Sequence, residues 1–313
     1  MRFQDIIGQP AACAQLERAW QHKRLSHAYI FDGPNGVGKQ TTARALAALL
    51  LCEQPEQADS CGRCLSCRQL DAGTHPDCYQ LAPDGRSIKI KQIRDLRARL
   101  SGMANYGGYT VVIIDQADTM TLEAANAFLK TVEEPQGPTC FILITTQADR
   151  LPDTIRSRAQ LVRFQSLSQA SLSRLLGSDA ETSAGRIAVD LAGGSITRAR
   201  QVLEDDTLRT TLLTRREELE ELLNGLATRH DGALLRFADA FMGDREGVRD
   251  EILLIRRHYD TRLKTALRDG TDLAPAVQVL HDTTTALNRL ETNAEPAFIL
   301  GALLIEMARH SRQ

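Results

Sequence analysis

Tyr29-Ile30-Phe31-Asp32-Gly33-Pro34-Asn35-Gly36-Val37-Gly38-Lys39-Gln40-Thr41-Thr42 passes from an apolar run through a glycine loop into a stretch that stays apolar-periodic as far as Leu51. Strand, glycine loop and helix in that order make a phosphate cradle. The glycines let consecutive backbone N–H groups turn inward around a phosphate, the helix presents its positive end, and Lys39 reaches the outer phosphates. The candidate nucleotide-binding residues are therefore Gly33, Pro34, Asn35, Gly36, Val37, Gly38 and Lys39, with Gln40 and Thr41 beside them. One group is out of place. The position after the lysine ordinarily carries the Ser or Thr hydroxyl that holds Mg2+, and here it is Gln40. Thr41 lies about 100° further round the helix and is expected to point away. The loop predicts a site with the outline of a nucleotide pocket and impaired chemistry, at which ATP and Mg2+ bind weakly or not at all.

Outward from the loop, the first half of the chain alternates apolar strand-like runs with helical patterns, as a parallel α/β sheet requires. Strands are predicted at 28–31, 79–81, 110–114, 140–145 and 161–164, and helices at 14–21, 40–51, 90–100 and 122–131. Thr110-Val111-Val112-Ile113-Ile114 is apolar on both faces, which predicts a central strand covered on both sides. Beyond Phe164 the strand signal stops. Short helical segments surround Gly193-Gly194-Ser195, Asp205-Asp206 offers a hinge, and leucines recur at helical spacing from Leu208 onward. The expected domains are 1–166 for the nucleotide-binding sheet, 167–205 for a small helical lid, and 206–313 for an all-helical tail.

A net charge of −2 over 313 residues argues against a protein that grips nucleic acid by bulk positive charge. The N-terminal MRFQDIIGQP lacks a basic start followed by an apolar core, and no apolar run approaches membrane-spanning length. A soluble cytoplasmic protein is the expectation. Of seven cysteines, Cys52, Cys61, Cys64 and Cys67 show the spacing Cx8CxxCxxC. Four thiolates close a tetrahedral site with no open position, which suits structural zinc. Redox chemistry at CxxC is the competing explanation. Cys13, Cys78 and Cys140 lie on apolar segments and are expected to pack as small hydrophobes, while His75 beside Pro76 is expected in a turn.

Asp115 stands where the central strand gives way to loop, a place from which a carboxylate holds the water shell of magnesium. A solvated aspartate with no metal role is the bland alternative. The next residue is Gln116, where hydrolytic enzymes of this architecture carry the Glu that polarises water. An amide positions water but cannot accept its proton, and loss of a general base typically costs about 10²- to 10⁴-fold.

Several motifs in order now carry a resemblance. Phe3-Gln4-Asp5-Ile6-Ile7-Gly8-Gln9, Ser26-His27-Ala28-Tyr29, the loop to Lys39, Asp115, the run from Asn126 to Pro135, and Ile155-Arg156-Ser157-Arg158 resemble the AAA+ clamp-loader ATPases of bacterial replication over roughly residues 1 to 205. In length and in its single helical tail the chain resembles the shorter subunits of that family more than the longer gamma/tau motors. The resemblance implies an AAA+ fold: a RecA-like parallel sheet with helices on both faces, a small helical lid, and a C-terminal helical collar. It also implies gamma/tau and delta subunits as partners in a hetero-pentameric ring, with the sliding clamp and primer-template DNA met through the complex and no membrane contact.

Each ATP in such a ring lies at a subunit boundary, and the neighbour donates an arginine to the γ-phosphate. Arg158 matches the residue that acts in trans; from composition alone it would be a surface ion pair. Thr145 or Thr146 matches the first sensor, although threonine at a strand end is common. The second sensor is ordinarily an arginine shortly after Gly-Ser, and in Gly194-Ser195-Ile196-Thr197-Arg198 it comes one residue late. Three departures around one phosphate site imply a ring subunit that serves a neighbour's ATP. An active motor of the same ring, and a free-standing zinc or redox protein, are the other possibilities.

Lys91, Arg94 and Arg97 recur along one side of a helix whose other side carries Ile93, Leu96 and Leu100. They would touch DNA phosphates inside a ring, or form an ordinary solvated face. The apolar run 297–305 exceeds a narrow stripe and predicts burial against further helices, its own or a neighbour's. No paired metal-binding carboxylates suited to nucleotidyl transfer stand out, so a polymerase activity would belong to a holoenzyme.

Overall fold

The computed structural model describes residues 2–100, 108–135, 137–290 and 294–312. The chain divides into two compact units, Met1–Glu181 with Gly194–Arg198, and Thr182–Gly193 with Ala199–Gln313.

The first unit is built on five parallel strands, β1 (Ala28–Asp32), β2 (Cys78–Leu81), β3 (Thr110–Ile114), β4 (Thr139–Thr145) and β5 (Gln160–Arg163), in the order β2-β3-β4-β1-β5. All five fall where the apolar runs predict them. β3 and β4 are buried along their whole length, which is why 110–114 and 140–145 read as continuous hydrophobic segments rather than alternating ones.

Among the described residues, seven α-helices accompany the sheet: α1 (Pro10–Gln21), α2 (Lys39–Leu51), α3 (Leu65–Asp71), α4 (Ile90–Leu100), α5 (Leu122–Glu133), α6 (Asp153–Arg156) and α7 (Gln169–Leu176). One sheet face packs Ile30, Val112, Ile114, Phe141 and Leu143 against Ile93 and Leu96 of α4 and Ala124, Phe128 and Val132 of α5. The rings of Phe128 and Phe141 meet edge-on at 5.4 Å, a favoured aromatic geometry. α2 lies against β3 and β4 and shares none of that cluster, so it covers the opposite face. The result is a parallel sheet with helices on both sides, as expected from the sequence. Helix starts follow local chemistry: Pro10 occupies the first turn of α1, and the hydroxyls of Thr121 and Ser168 accept from the N–H groups of Ala124 and Ser171 to cap α5 and α7.

The second unit contains α8 (Ser183–Leu191), most of α9 (Ile196–Glu204), α10 (Asp206–Asn224), α11 (Asp231–Asp239), α12 (Arg245–Asp269), α13 (Ala274–Leu290) and α14 (Pro296–Ser311). Its core joins Leu212, Leu219 and Leu223 of α10, Ile252 and Ile255 of α12, Val279 of α13, and Leu300, Leu304 and Met307 of α14. Gly270 ends α12 in the left-handed conformation at φ 68°, which glycine adopts without strain. α3 and α6 were not expected from the sequence, and α1 starts at Pro10 rather than 14. Among the described residues no helix is long and apolar enough to cross a membrane.

Candidate functional site

β1 delivers the chain at Asp32 to the glycine loop, and the loop's glycines are required by space as well as by dihedral. A Cβ at Gly33 would lie 2.4 Å from the Phe164 carbonyl oxygen, and one at Gly36 (φ 71°) would lie 2.1 Å from Ser195 Oγ. Gly38, at φ 104°, caps α2. Two contacts brace the loop. Gln9, only 3% exposed, donates from its side-chain amide to the carbonyls of Val37 (3.1 Å) and Gln165 (2.6 Å) and accepts from the N–H of Gln165 (3.1 Å). The N–H of Ile196 donates to the Gly36 carbonyl at 2.9 Å.

Lys39 is 6% exposed, and its ammonium turns back onto the loop, donating to the carbonyls of Gly33 and of Pro34, the latter at 2.6 Å. Burial pulls its pKa down to about 8, opposed by the carboxylates of Asp32, Asp115 and Asp118. At the metal-holding position, the side-chain oxygen of Gln40 is buried and has no hydrogen-bond partner among the described residues. Thr41 is exposed, as its place on the helix predicts, and the Thr42 hydroxyl is spent on the Gly38 carbonyl at 2.9 Å. The loop fits phosphate in its backbone. It offers no hydroxyl to a metal.

Asp115 follows β3, and its carboxylate accepts from the N–H of Gln116 at 2.9 Å. Gln116 is exposed and sits in the left-handed region at φ 49°, an uncommon conformation for a residue with a side chain. Thr145 is buried at the end of β4, where its hydroxyl donates to Asp118 (2.8 Å) and accepts from the N–H of Gln147 (2.9 Å). Asp32 accepts from the N–H of Ala148 (3.1 Å), and burial raises its carboxyl pKa against that bond and the charges of Arg163 and Lys39. Asp32, Asp118 and Gln9 are the site residues that the sequence did not single out. The order of the strands brings Asp32, Asp115 and Asp118 to one lysine, and nothing in their linear spacing announces it.

Arg158 follows α6, away from the loop's polar contacts. Its guanidinium donates to the Thr154 carbonyl (3.0 Å) and the Ser157 hydroxyl (3.3 Å), and pairs with Glu133 at 2.8 Å, with both side chains over 40% exposed (41% and 44%). Exposed pairs of this kind are worth about 0–1 kcal/mol. The arginine is thus engaged within its own chain by partners that a polyanion can displace.

The four sulfurs of Cys52, Cys61, Cys64 and Cys67 lie within 4.8 Å of one another. A tetrahedral zinc–thiolate site with bonds of about 2.3 Å has edges of about 3.8 Å, so the cluster fits that ion. Backbone N–H groups of Cys61, Cys64 and Cys67 point at the sulfurs of Cys52, Cys61 and Cys64 at 3.3, 3.4 and 3.4 Å. Such bonds from Arg63 and Cys64 bring the Cys61 thiol down to about 6, whereas burial pushes Cys52 and Cys67 up. Cys13 and Cys140 are buried, with burial raising their pKa values to about 11 and about 12, and Cys78 is raised to about 11 in the same way. His75 is buried in the turn before β2, its ring within 3.3 Å of the Ser66 hydroxyl.

On α4, Lys91, Arg94 and Arg97 are exposed while Ile93, Leu96 and Leu100 are buried. An open hollow of about 460 Å³ between α4 and α5 is lined by Arg94, Arg97 and Lys130 together with Glu123, Asn126 and the apolar Ile90, Ile93 and Ala127.

Residues 8–168 match the family model described as DNA polymerase III, delta subunit. The chain is 44% identical over 152 residues to DNA polymerase III subunit delta' of Pseudomonas aeruginosa, covering 48% of this chain and 45% of that protein. It is 38% identical over 184 residues to subunit delta' of Bacillus subtilis, covering 58% and 56%. With subunit tau of Bacillus subtilis the identity is 36% over 176 residues, 56% of this chain and 31% of the relative. The matched region spans about half the length of the two delta' relatives.

Proposed function

The chain belongs to the DNA polymerase III delta-subunit family, and from that premise we propose that it is a delta-prime-type subunit of the clamp loader. In this role it helps place the sliding clamp on primed DNA, lends Arg158 to a neighbour's ATP, and turns over little or no ATP itself. The observation that carries the proposal is the state of the phosphate site. Gln40 stands where a metal-holding hydroxyl belongs, and Gln116 stands where the water-activating carboxylate is expected.

ATP bound at this loop would be held by the loop N–H groups, the start of α2 and Lys39, with Asp115 at the metal's water shell and Thr145 beside it, and it would supply the γ-phosphate for hydrolysis. This chain's residues orient it incompletely. Gln40 is a poor substitute for the hydroxyl, Gln116 can place a water but not take its proton, and the Thr145 hydroxyl donates to Asp118. Arg158, by contrast, is exposed and weakly held, as an arginine acting across a boundary must be.

The zinc knob at 52–67 serves the fold. Domains of 1–166, 167–205 and 206–313 act as sheet, lid and collar, the last joining gamma/tau and delta subunits in a hetero-pentamer. The exposed Lys91, Arg94 and Arg97 on α4 support DNA contact inside that ring. The protein works in the cytoplasm at the replisome. The similarity to tau favours a second reading, an active motor of the same loader. Nucleotide turnover by the lone chain against turnover in the complex decides between them: ATPase that is lost with Lys39→Ala, in the chain alone or at its own site in the complex, supports the motor, and a complex whose ATPase is indifferent to Lys39→Ala supports the delta-prime type.

A further inference from the structure

Asp59 lies between Cys52 and Cys61, inside the loop that the cysteine site closes, and its carboxylate faces the start of the chain. One oxygen accepts from the backbone N–H of Phe3 (3.0 Å) and of Ser60 (2.8 Å), and the other accepts from the N–H of Gln4 (3.3 Å). From the opposite direction, the Arg2 guanidinium donates to the carbonyl of Cys61 at 2.9 Å. Residues Phe3–Asp5 form a single 3-10 turn, the Phe3 side chain is buried, and the turn rests against α2. So short a turn has little stability of its own. Its position is set by what holds it.

A few residues on, Gly8 turns at φ 84°, where a Cβ would meet Leu167 at 2.4 Å. Gln9 then spends its amide on Val37 inside the phosphate loop and on Gln165. The path from cysteine cluster to phosphate loop is therefore short: knob to Asp59 and Arg2, to the turn at 3–5, to Gln9, to the Val37 carbonyl. We propose that the cysteine knob is a clamp for the N-terminal segment, with Asp59 and Arg2 as positioning residues that keep Gln9 braced under the phosphate loop. This rests on the zinc reading of the four cysteines. Four ligands closed on a metal fix the loop 53–60, and with it the carboxylate that receives Phe3 and Gln4. Within the loop, Asp59 is held by paired backbone bonds with Glu56 (2.9 and 2.8 Å), so its own turn is local, and it is the seating of that turn against the chain 52–67 that the metal would fix.

The test is amide hydrogen exchange on the full chain, with zinc measured in the same samples. Asp59→Ala is expected to retain one zinc per chain while exchange across residues 3–9 accelerates about tenfold, the loss of roughly one net hydrogen bond, and exchange in the loop 33–38 accelerates with it. Wild type stripped by a chelator is expected to loosen the same two segments. Arg2→Ala, outside the metal site, should show a smaller acceleration of the same pattern, and it carries the test if Asp59→Ala unfolds. Unchanged exchange at 3–9 in the zinc-loaded variants overturns the clamp. Acceleration confined to 3–5, with 33–38 unmoved, overturns transmission to the phosphate loop. Wild-type protein that binds no zinc overturns the metal reading instead, a result distinguishable from the other two by stoichiometry alone.

Discussion

Gln40 is the residue on which the chemistry of this chain turns. Its orphaned oxygen sits in the first turn of α2, at the place from which a hydroxyl would hold magnesium beside the phosphates. Gln40→Thr is expected to raise the magnesium-dependent part of the isolated chain's affinity for ATP above the parent's, measured by calorimetry with and without the metal. Adding Gln116→Glu should then raise turnover by about 10²-fold or more, the scale of a restored general base. Glu251 offers a separate test at this scale. It is fully buried in the second unit, both carboxyl oxygens lack hydrogen-bond partners among the described residues, and burial raises its pKa from 4.5 to about 8, with Arg215 opposing and Asp250 and Glu218 adding to the rise. The folded chain therefore keeps a proton that the unfolded chain releases between pH 4.5 and about 8. The stabilising effect is complete below the unfolded value and fades across that window, at about 1.4 kcal/mol per pH unit at most. Glu251→Gln should flatten the decline, so that denaturant midpoints of variant and parent diverge as pH rises towards 8.

At the scale of elements, the α/β alternation, the covered central strand and the cysteine knob were legible from patterns a few residues long. Apolar runs located all five strands, and Cx8CxxCxxC located a cluster whose sulfurs do converge. What was hidden depends on distant partners. Gln9 stands in a quoted motif, yet its role is set by Val37 and by Gln165, which lies 156 positions away. Asp118 matters because β4 places Thr145 beside it. α3 is not legible because its seven residues, Cys67 among them, are too few for a period to emerge; α6 has only four. Removing zinc, or Cys64→Ser, is expected to lower the thermal midpoint of the first unit by several degrees while the helices of the second keep their exchange protection. Equal loss in both would make the knob a support of the whole chain rather than of its own neighbourhood.

At the scale of the whole molecule, the helical unit has its own core and still shows large apolar groups to solvent. α14 buries Leu300, Leu304 and Met307, but Phe298 is 66% exposed, with Leu235 of α11 and Met242 beyond it also exposed. The expected burial of 297–305 is thus met largely inside the chain, with Phe298 left exposed. Phe298→Asp is predicted to leave the isolated chain folded and to weaken its retention in a reconstituted loader on gel filtration. The most direct test of the central claim is the DNA-stimulated ATPase of a loader reconstituted with Arg158→Ala. Assembly should survive, and ATPase should fall, on the order of 10³-fold for the served site alone and less in total while other sites continue. Unchanged ATPase and unchanged clamp loading would contradict the claim and leave Arg158 as no more than the partner of Glu133.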